Sequence, residues 1–154
     1  MAESAKFVAG TAESGAFAAA PELQDGQRMP PFELIERTRL FALDVLKFCR
    51  RLPATAEAQE AGGQLRRSAT SVRSNYRAAR KARTRPEFQA KLQIAFEGAD
   101  ECVDWLEYLR DGQIQHDASL LSEAKEIASI LSKSVQTARQ NTMRGKRSSF
   151  GPVR

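Results

Sequence analysis

Histidine is almost absent: His116 is the only one in 154 residues. A single imidazole, in the last expected turn and with no nucleophile placed beside it by motif, reads as a solvated turn residue and not as a general base. Cysteine is nearly as scarce. Cys49 and Cys102 lie far apart with no second Cys or His near either, which excludes a zinc-binding pair and a disulfide framework and fits a reducing cytoplasm. Both fall on apolar stripes, where a thiol acts as a small hydrophobe. Sustained alternation of apolar and polar residues is missing, and with it any strand from which a Gly-rich phosphate loop could spring. No stretch approaches the roughly 20 unbroken apolar residues of a membrane span. Ala18-Ala19-Ala20 imitates a signal-peptide cleavage site, but Thr11, Glu13, Ser14 and Gly15 break the apolar region that must precede one. The expectation from these absences is a cytoplasmic protein with no enzymatic activity, no metal and no cofactor.

What is present is helical. Residues 1–31 are rich in Ala, Gly, Ser and Glu and hold too few large apolar groups to offset the entropy of ordering, so a disordered tail is expected there. Met29, directly before Pro30-Pro31, suggests an alternative start. From Phe32 apolar residues recur at steps of three and four. Leu34, Thr38, Phe41, Val45, Phe48 and Leu52 form the first stripe, stopped by Pro53. Ala61, Leu65, Ala69, Val72, Tyr76 and Ala79 form the second, within a segment expected from Glu57 to Thr84. Thr84-Arg85-Pro86-Glu87 opens the third, with proline in the first turn where its missing N–H costs nothing. Phe88, Leu92, Ala95, Ala99, Cys102, Leu106 and Leu109 follow, up to Asp111-Gly112. The fourth starts near Asp117 and aligns Leu120, Ala124, Ile127, Leu131, Val135 and Ala138. The fold class is therefore all-α, an antiparallel up-down-up-down four-helix bundle over residues 32–142, followed by a basic flexible tail at 143–154.

The formal net charge of +5 hides a strong segregation. Between Ala61 and Pro86 stand Arg66, Arg67, Arg73, Arg77, Arg80, Lys81, Arg83 and Arg85, with no acidic residue among them. Arg66, Arg73, Arg77 and Arg80 return to one side of the second helix, beside its apolar stripe. Such a stripe admits three uses: a solvated or ion-paired face, a track for nucleic-acid phosphates that extends to Lys81, or salt bridges to a neighbouring subunit. Across the apolar stripe, Ser68, Ser71, Asn75, Ala78 and Ala79 are small enough for a further helix to come close.

The third helix has the opposite sign. Glu97, Asp100, Glu101, Asp104, Glu107 and Asp111 share its outer face, and between Pro86 and Gly112 only Lys91 and Arg110 are basic. A di-metal bundle site would need inward-facing Glu with Glu-x-x-His pairs, which these outward carboxylates do not supply. Ile94, Gly98 and Trp105, with Tyr108 at the margin, form a second apolar strip. Together with Ser71 and Asn75 they are the expected oligomer interface.

Gln64-Leu65-Arg66-Arg67-Ser68-Ala69 followed by Ser71-Val72-Arg73-Ser74-Asn75-Tyr76 resembles the signature of the bacterial four-helix-bundle family named after proteins encoded in 23S rRNA intervening sequences. The segments Glu87-Phe88-Gln89-Ala90-Lys91-Leu92-Gln93-Ile94-Ala95 and Glu97-Gly98-Ala99-Asp100-Glu101-Cys102-Val103-Asp104-Trp105-Leu106-Glu107 are similar to the same family in order and spacing. The resemblance extends over about residues 32–140. It departs at Ala78-Ala79, where many members carry an acidic residue. It implies a left-handed bundle that assembles as a ring of five subunits, with no catalytic activity. A related group, the accessory variability determinants of diversity-generating retroelements, implies RNA or DNA as a partner, and a reverse transcriptase only if this chain is retroelement-associated.

Overall fold

The computed structural model describes residues 31–148, with side chains from 33 to 143. Four helices follow in order: α1 (Pro31–Cys49), α2 (Ala56–Ala79), α3 (Arg85–Asp111) and α4 (Ala118–Ser148). They form an all-α four-helix bundle, and no strand occurs among the described residues. The expected N-terminal tail and the alternative start at Met29 lie outside the described residues.

Each helix buries the stripe its spacing dictates. Leu34, Phe41, Val45 and Phe48 of α1 meet Leu65, Ala69, Val72 and Tyr76 of α2, Leu92, Ala99, Cys102 and Leu109 of α3, and Ile127 and Leu131 of α4 in one core. Thr38, wholly buried, satisfies its hydroxyl by donating to the Ile35 carbonyl at 3.0 Å. Burial pushes the Tyr76 phenol up to about 12, with Arg80 pulling weakly the other way.

The ends have local causes. Pro53 prevents α1 from continuing, and the Leu52 N–H turns back to the Cys49 carbonyl. α2 stops at Ala79, short of the expected Thr84, because Thr84 is needed as the N-cap of α3. The Thr84 backbone is extended, its hydroxyl accepts from the Glu87 N–H, and the Glu87 carboxylate reaches back to the Arg83 N–H at 3.0 Å. Lys81 and Arg83 therefore sit in a turn. At the other end of α3 the Gln113 and Ile114 N–H groups donate to the Arg110 and Leu109 carbonyls, and Gln113 takes the left-handed conformation (φ 56°). Gly112 beside it is right-handed.

α4 corrects the expected boundary at 142 by continuing to Ser148. The Gln89 amide from α3 donates to the Ala138 carbonyl and the Thr142 hydroxyl, both at 2.8 Å, which anchors the helix where the sequence suggested an end. Beyond Asn141 only Gly145 weakens it, by about 1 kcal/mol, too little to stop a helix already formed.

α2 and α3 share the most extensive helix contact, and α1 and α4 the least. The α1–α4 seam is tied by Arg37. Its Nε and Nη2 donate to Glu123 at 2.6 and 2.8 Å, and Nη1 reaches Glu126 at 3.1 Å.

Candidate nucleic-acid interface and association face

The turn of α2 within the bundle decides where its arginines go. Gly62 packs on α1, since a Cβ there would meet Leu52 Cδ1 at 2.6 Å, and Cys49 donates to the Gly62 carbonyl at 3.5 Å. Arg66, one helical turn on, keeps to that side. Burial pushes the Cys49 thiol up, and the Arg66 guanidinium works against it. Arg73 does likewise: Glu36 of α1 is held below the usual carboxylate range chiefly by its hydrogen bond from Arg39, with the Arg73 charge adding to it. Arg77 and Arg80 follow at helical spacing. The expected arginine stripe is thus brought together on the α1 side of α2, with Lys81 exposed at its end.

α1 widens this face. With Arg37 turned to α4 and Cys49 to α2, steps of four and three place half-buried Arg39, exposed Leu43 and half-buried Leu46 on the side of α1 away from α4, and Arg50 follows in the turn after the helix. Leu43 and neighbouring Leu40 are exposed (38% and 47%). Glu36, whose carboxylate feels the Arg73 charge, is itself occupied by Arg39. Among the described residues Arg66, Arg73, Arg77, Arg80 and Lys81 have no carboxylate at ion-pair distance. The contribution of α1 went unnoticed in the sequence, although the Arg39-Leu43-Leu46-Arg50 spacing was there to be read.

The other flank of α2 faces α3. The buried Ser68 hydroxyl donates to Glu101 Oε2 at 2.9 Å, with the Gln64 carbonyl at 3.1 Å. Carrying this antiparallel register along puts Asn75 level with Ile94 and Gln64 level with Trp105. Ser71 and Asn75 are half-buried, the Asn75 amide donating to the Ser71 carbonyl at 3.0 Å. Ile94 is 40% exposed. Trp105 is not the exposed ring the strip suggested: it packs against the core, edge-on to Tyr108 with centroids 5.7 Å apart.

Gly98 departs from the expectation. It is buried between α2 and α3, where a Cβ would meet the Ser68 carbonyl oxygen at 3.1 Å and Val72 Cγ2 at 3.3 Å, so it serves close packing within the chain. Ser71, Asn75, Ile94 and Trp105 share one α2–α3 face, with Gly98 as its floor.

The carboxylates of α3 border that face. Asp100 and Asp104 are exposed without an ion pair among the described residues, while Glu107 binds Lys125 at 2.7 Å and Asp111 binds Arg110 at 2.7 Å. Glu57, Asp104, Glu107 and Asp111, with Tyr108, line an open depression of about 650 Å³ at the end of the α2–α3 pair. The described residues hold no group of three His, Cys, Asp or Glu side chains suited to a metal, and His116 is exposed. Burial drives the Cys102 thiol far above its ordinary value, which keeps it protonated and unreactive. No described helix is long and apolar enough to cross a membrane.

No curated protein matches the chain. Among solved structures the chain is similar to a protein of unknown function from the S23 ribosomal protein family of Bacteroides thetaiotaomicron VPI-5482. The two are 26% identical, the match covers 70% of this chain and 99% of that one, and the TM-score is 0.62. The 23S rRNA-intervening sequence protein model matches residues 32–133, from the start of α1 into α4 and across both faces described above. The chain belongs to the 23S rRNA-intervening sequence protein family.

Proposed function

We propose that this is a non-enzymatic, cytoplasmic bundle that binds RNA or DNA phosphates without base specificity and self-associates. Arg66, Arg73, Arg77, Arg80 and Lys81 contact the phosphates. Ser71, Asn75, Ile94 and Trp105 meet another copy, for which the family resemblance implies a ring of five. The observation that carries the reading is the row of α2 arginines with no carboxylate at ion-pair distance among the described residues. Guanidiniums on one helical face can each take a pair of phosphate oxygens. The family name ties its members to intervening sequences of 23S rRNA, which makes structured RNA the first ligand to test.

Filter binding with structured RNA provides the test. The logarithm of affinity is expected to fall with the logarithm of salt at a slope of about −0.7 to −0.9 per phosphate contact. The double substitution Arg73→Glu, Arg77→Glu should abolish binding. No salt-sensitive binding at low ionic strength, or binding untouched by the substitutions, rejects the track.

A second reading is favoured by Asp100 and Asp104, exposed and without an ion pair among the described residues. In it the protein is an interaction scaffold that binds no nucleic acid, and the arginines of one copy pair with Asp100, Glu101 or Asp104 of the next. The same double substitution would then disrupt assembly, which light scattering reads directly.

A further inference from the structure

We propose that the phosphate-binding surface does not stop at Lys81 but turns over the end of the bundle, through Arg83, onto the last turn of α4 with Arg144, Lys146 and Arg147. This rests on the phosphate-binding reading above and extends its site.

The antiparallel order of the helices brings the end of α2, the start of α3 and the end of α4 to one pole of the molecule. Register sets them side by side. The Gln89 amide reaches both the Ala138 carbonyl and the Thr142 hydroxyl, so Gln89 is level with about residue 140 of α4 and Arg85 with about residue 144. The turn that carries Lys81 and Arg83 leads directly into Arg85. Past Thr142 the helix runs on: Met143 is 67% exposed, and the stretch from there to Ser148 adds about 9 Å of helix at this pole.

The charge there is one-sided. Lys81 and Arg83 are exposed and have no carboxylate at ion-pair distance among the described residues. No acidic residue follows Glu126 in α4, and Arg144, Lys146 and Arg147 stand within about one turn of it. Of the carboxylates at this end, Glu87 accepts from the Arg83 N–H and Glu36 is held by Arg39, which leaves Glu33, exposed in the first turn of α1.

Along α2 itself the sign changes. Glu57 and Glu60 stand near its start, whereas every charged residue from Arg66 to Arg85 is basic. A polyanion lying on α2 is therefore repelled at the beginning of the helix and drawn toward the pole where α4 ends. Cations in the last turn of α4 also meet the negative end of that helix's dipole, so they stabilise the element that presents them. Borne on a formed helix and not on a loose tail, they keep a fixed place relative to the α2 arginines.

The experiment uses the full chain and the anisotropy of a fluorescein-labelled RNA hairpin, titrated at several salt concentrations. Arg144→Gln, Arg147→Gln is compared with Lys125→Gln, Lys133→Gln, which removes equal charge from α4 away from the pole. The first pair is expected to weaken binding about tenfold and to make the salt slope shallower by about 0.7–0.9 per lost contact, and the second to do neither. Lys81→Gln, Arg83→Gln, placed in the turn and not in a helix, should act like the first pair, which keeps the test open if the α4 changes loosen the helix. Equal effects of the two α4 pairs would show that only net charge is felt. That result, or a slope unchanged by both pole variants, overturns the extension, while loss of binding with Arg73→Glu, Arg77→Glu keeps the phosphate-binding reading standing. A parent chain that does not bind the hairpin, or binds it without salt dependence, removes both.

Discussion

Gly98 lies so close to Ser68 that a Cβ on the glycine would stand 3.1 Å from the serine carbonyl oxygen. That oxygen belongs to the backbone of a packed helix and has little room to move. Alanine gains about 1 kcal/mol over glycine inside a helix, whereas forcing an extra methyl into a full interior costs about 1–3 kcal/mol. Gly98→Ala should therefore destabilise the fold by about 1 kcal/mol, and Gly98→Val by more, in urea denaturation. An unchanged or raised midpoint for both would show that α2 and α3 can separate freely.

At the far end of α3, Gln113 holds φ at 56° in an exposed turn. A residue with a Cβ is disfavoured there by about 1–2 kcal/mol, part of which glycine gives back through the entropy of its unfolded state. Gln113→Gly is expected to raise stability by about 0.5–1 kcal/mol. Gly112→Pro in the same turn should lower it, since the Gly112 N–H donates to the Tyr108 carbonyl at 2.9 Å.

Arg37 makes the α1–α4 seam sensitive to acid. Its hydrogen bond holds Glu126 below the ordinary glutamate value of 4.5. A carboxylate with a lowered folded value contributes stability in full above its unfolded pKa, and that contribution disappears as pH falls through the folded one. Thermal unfolding across the acid range should show this loss beginning near pH 4.5 and continuing below it. Arg37→Met should cost about 1–2 kcal/mol at neutral pH and flatten the acid dependence.

Ile94 is exposed and supports little of the chain's own core. Ile94→Asp should leave the midpoint of unfolding within about 0.5 kcal/mol of the parent. If the α2–α3 face carries self-association, the same change should weaken it at least tenfold in light scattering, a loss of about 1.4 kcal/mol or more. Assembly that survives the charge places the interface elsewhere on the bundle.

The four apolar stripes were legible because burial leaves a period in the sequence: the residues assigned from Leu34 to Val135 are enclosed, Ala138 at the end of the fourth is half-buried, and Ala58, Leu121, Ala128 and Ile130 join the core beside the stripes. Gly98 was not, because a residue without a side chain has no period of its own, and its position on the helix margin fits a surface strip as well as a crossing point. The Ser68 backbone decides between them. The arginines were visible as a stripe, but the side of α2 they occupy depends on which neighbour Gly62 packs against, a tertiary fact. The end of α4 was hidden for a different reason. Charge and glycine after Asn141 look like a tail, while the Gln89 amide that anchors the helix comes from 49 residues earlier in the chain.

The unequal helix contacts also set how the bundle comes apart. α1 touches α4 least and is joined to α2 less extensively than α2 is to α3. Partial opening should therefore detach α1 first and leave the α2–α3 hairpin as the cooperative unit that persists longest. Amide exchange would then be fastest through α1, slowest around Leu65, Val72, Leu92 and Ala99, and the α2 arginines would keep α1 as their neighbour only while the whole bundle is closed.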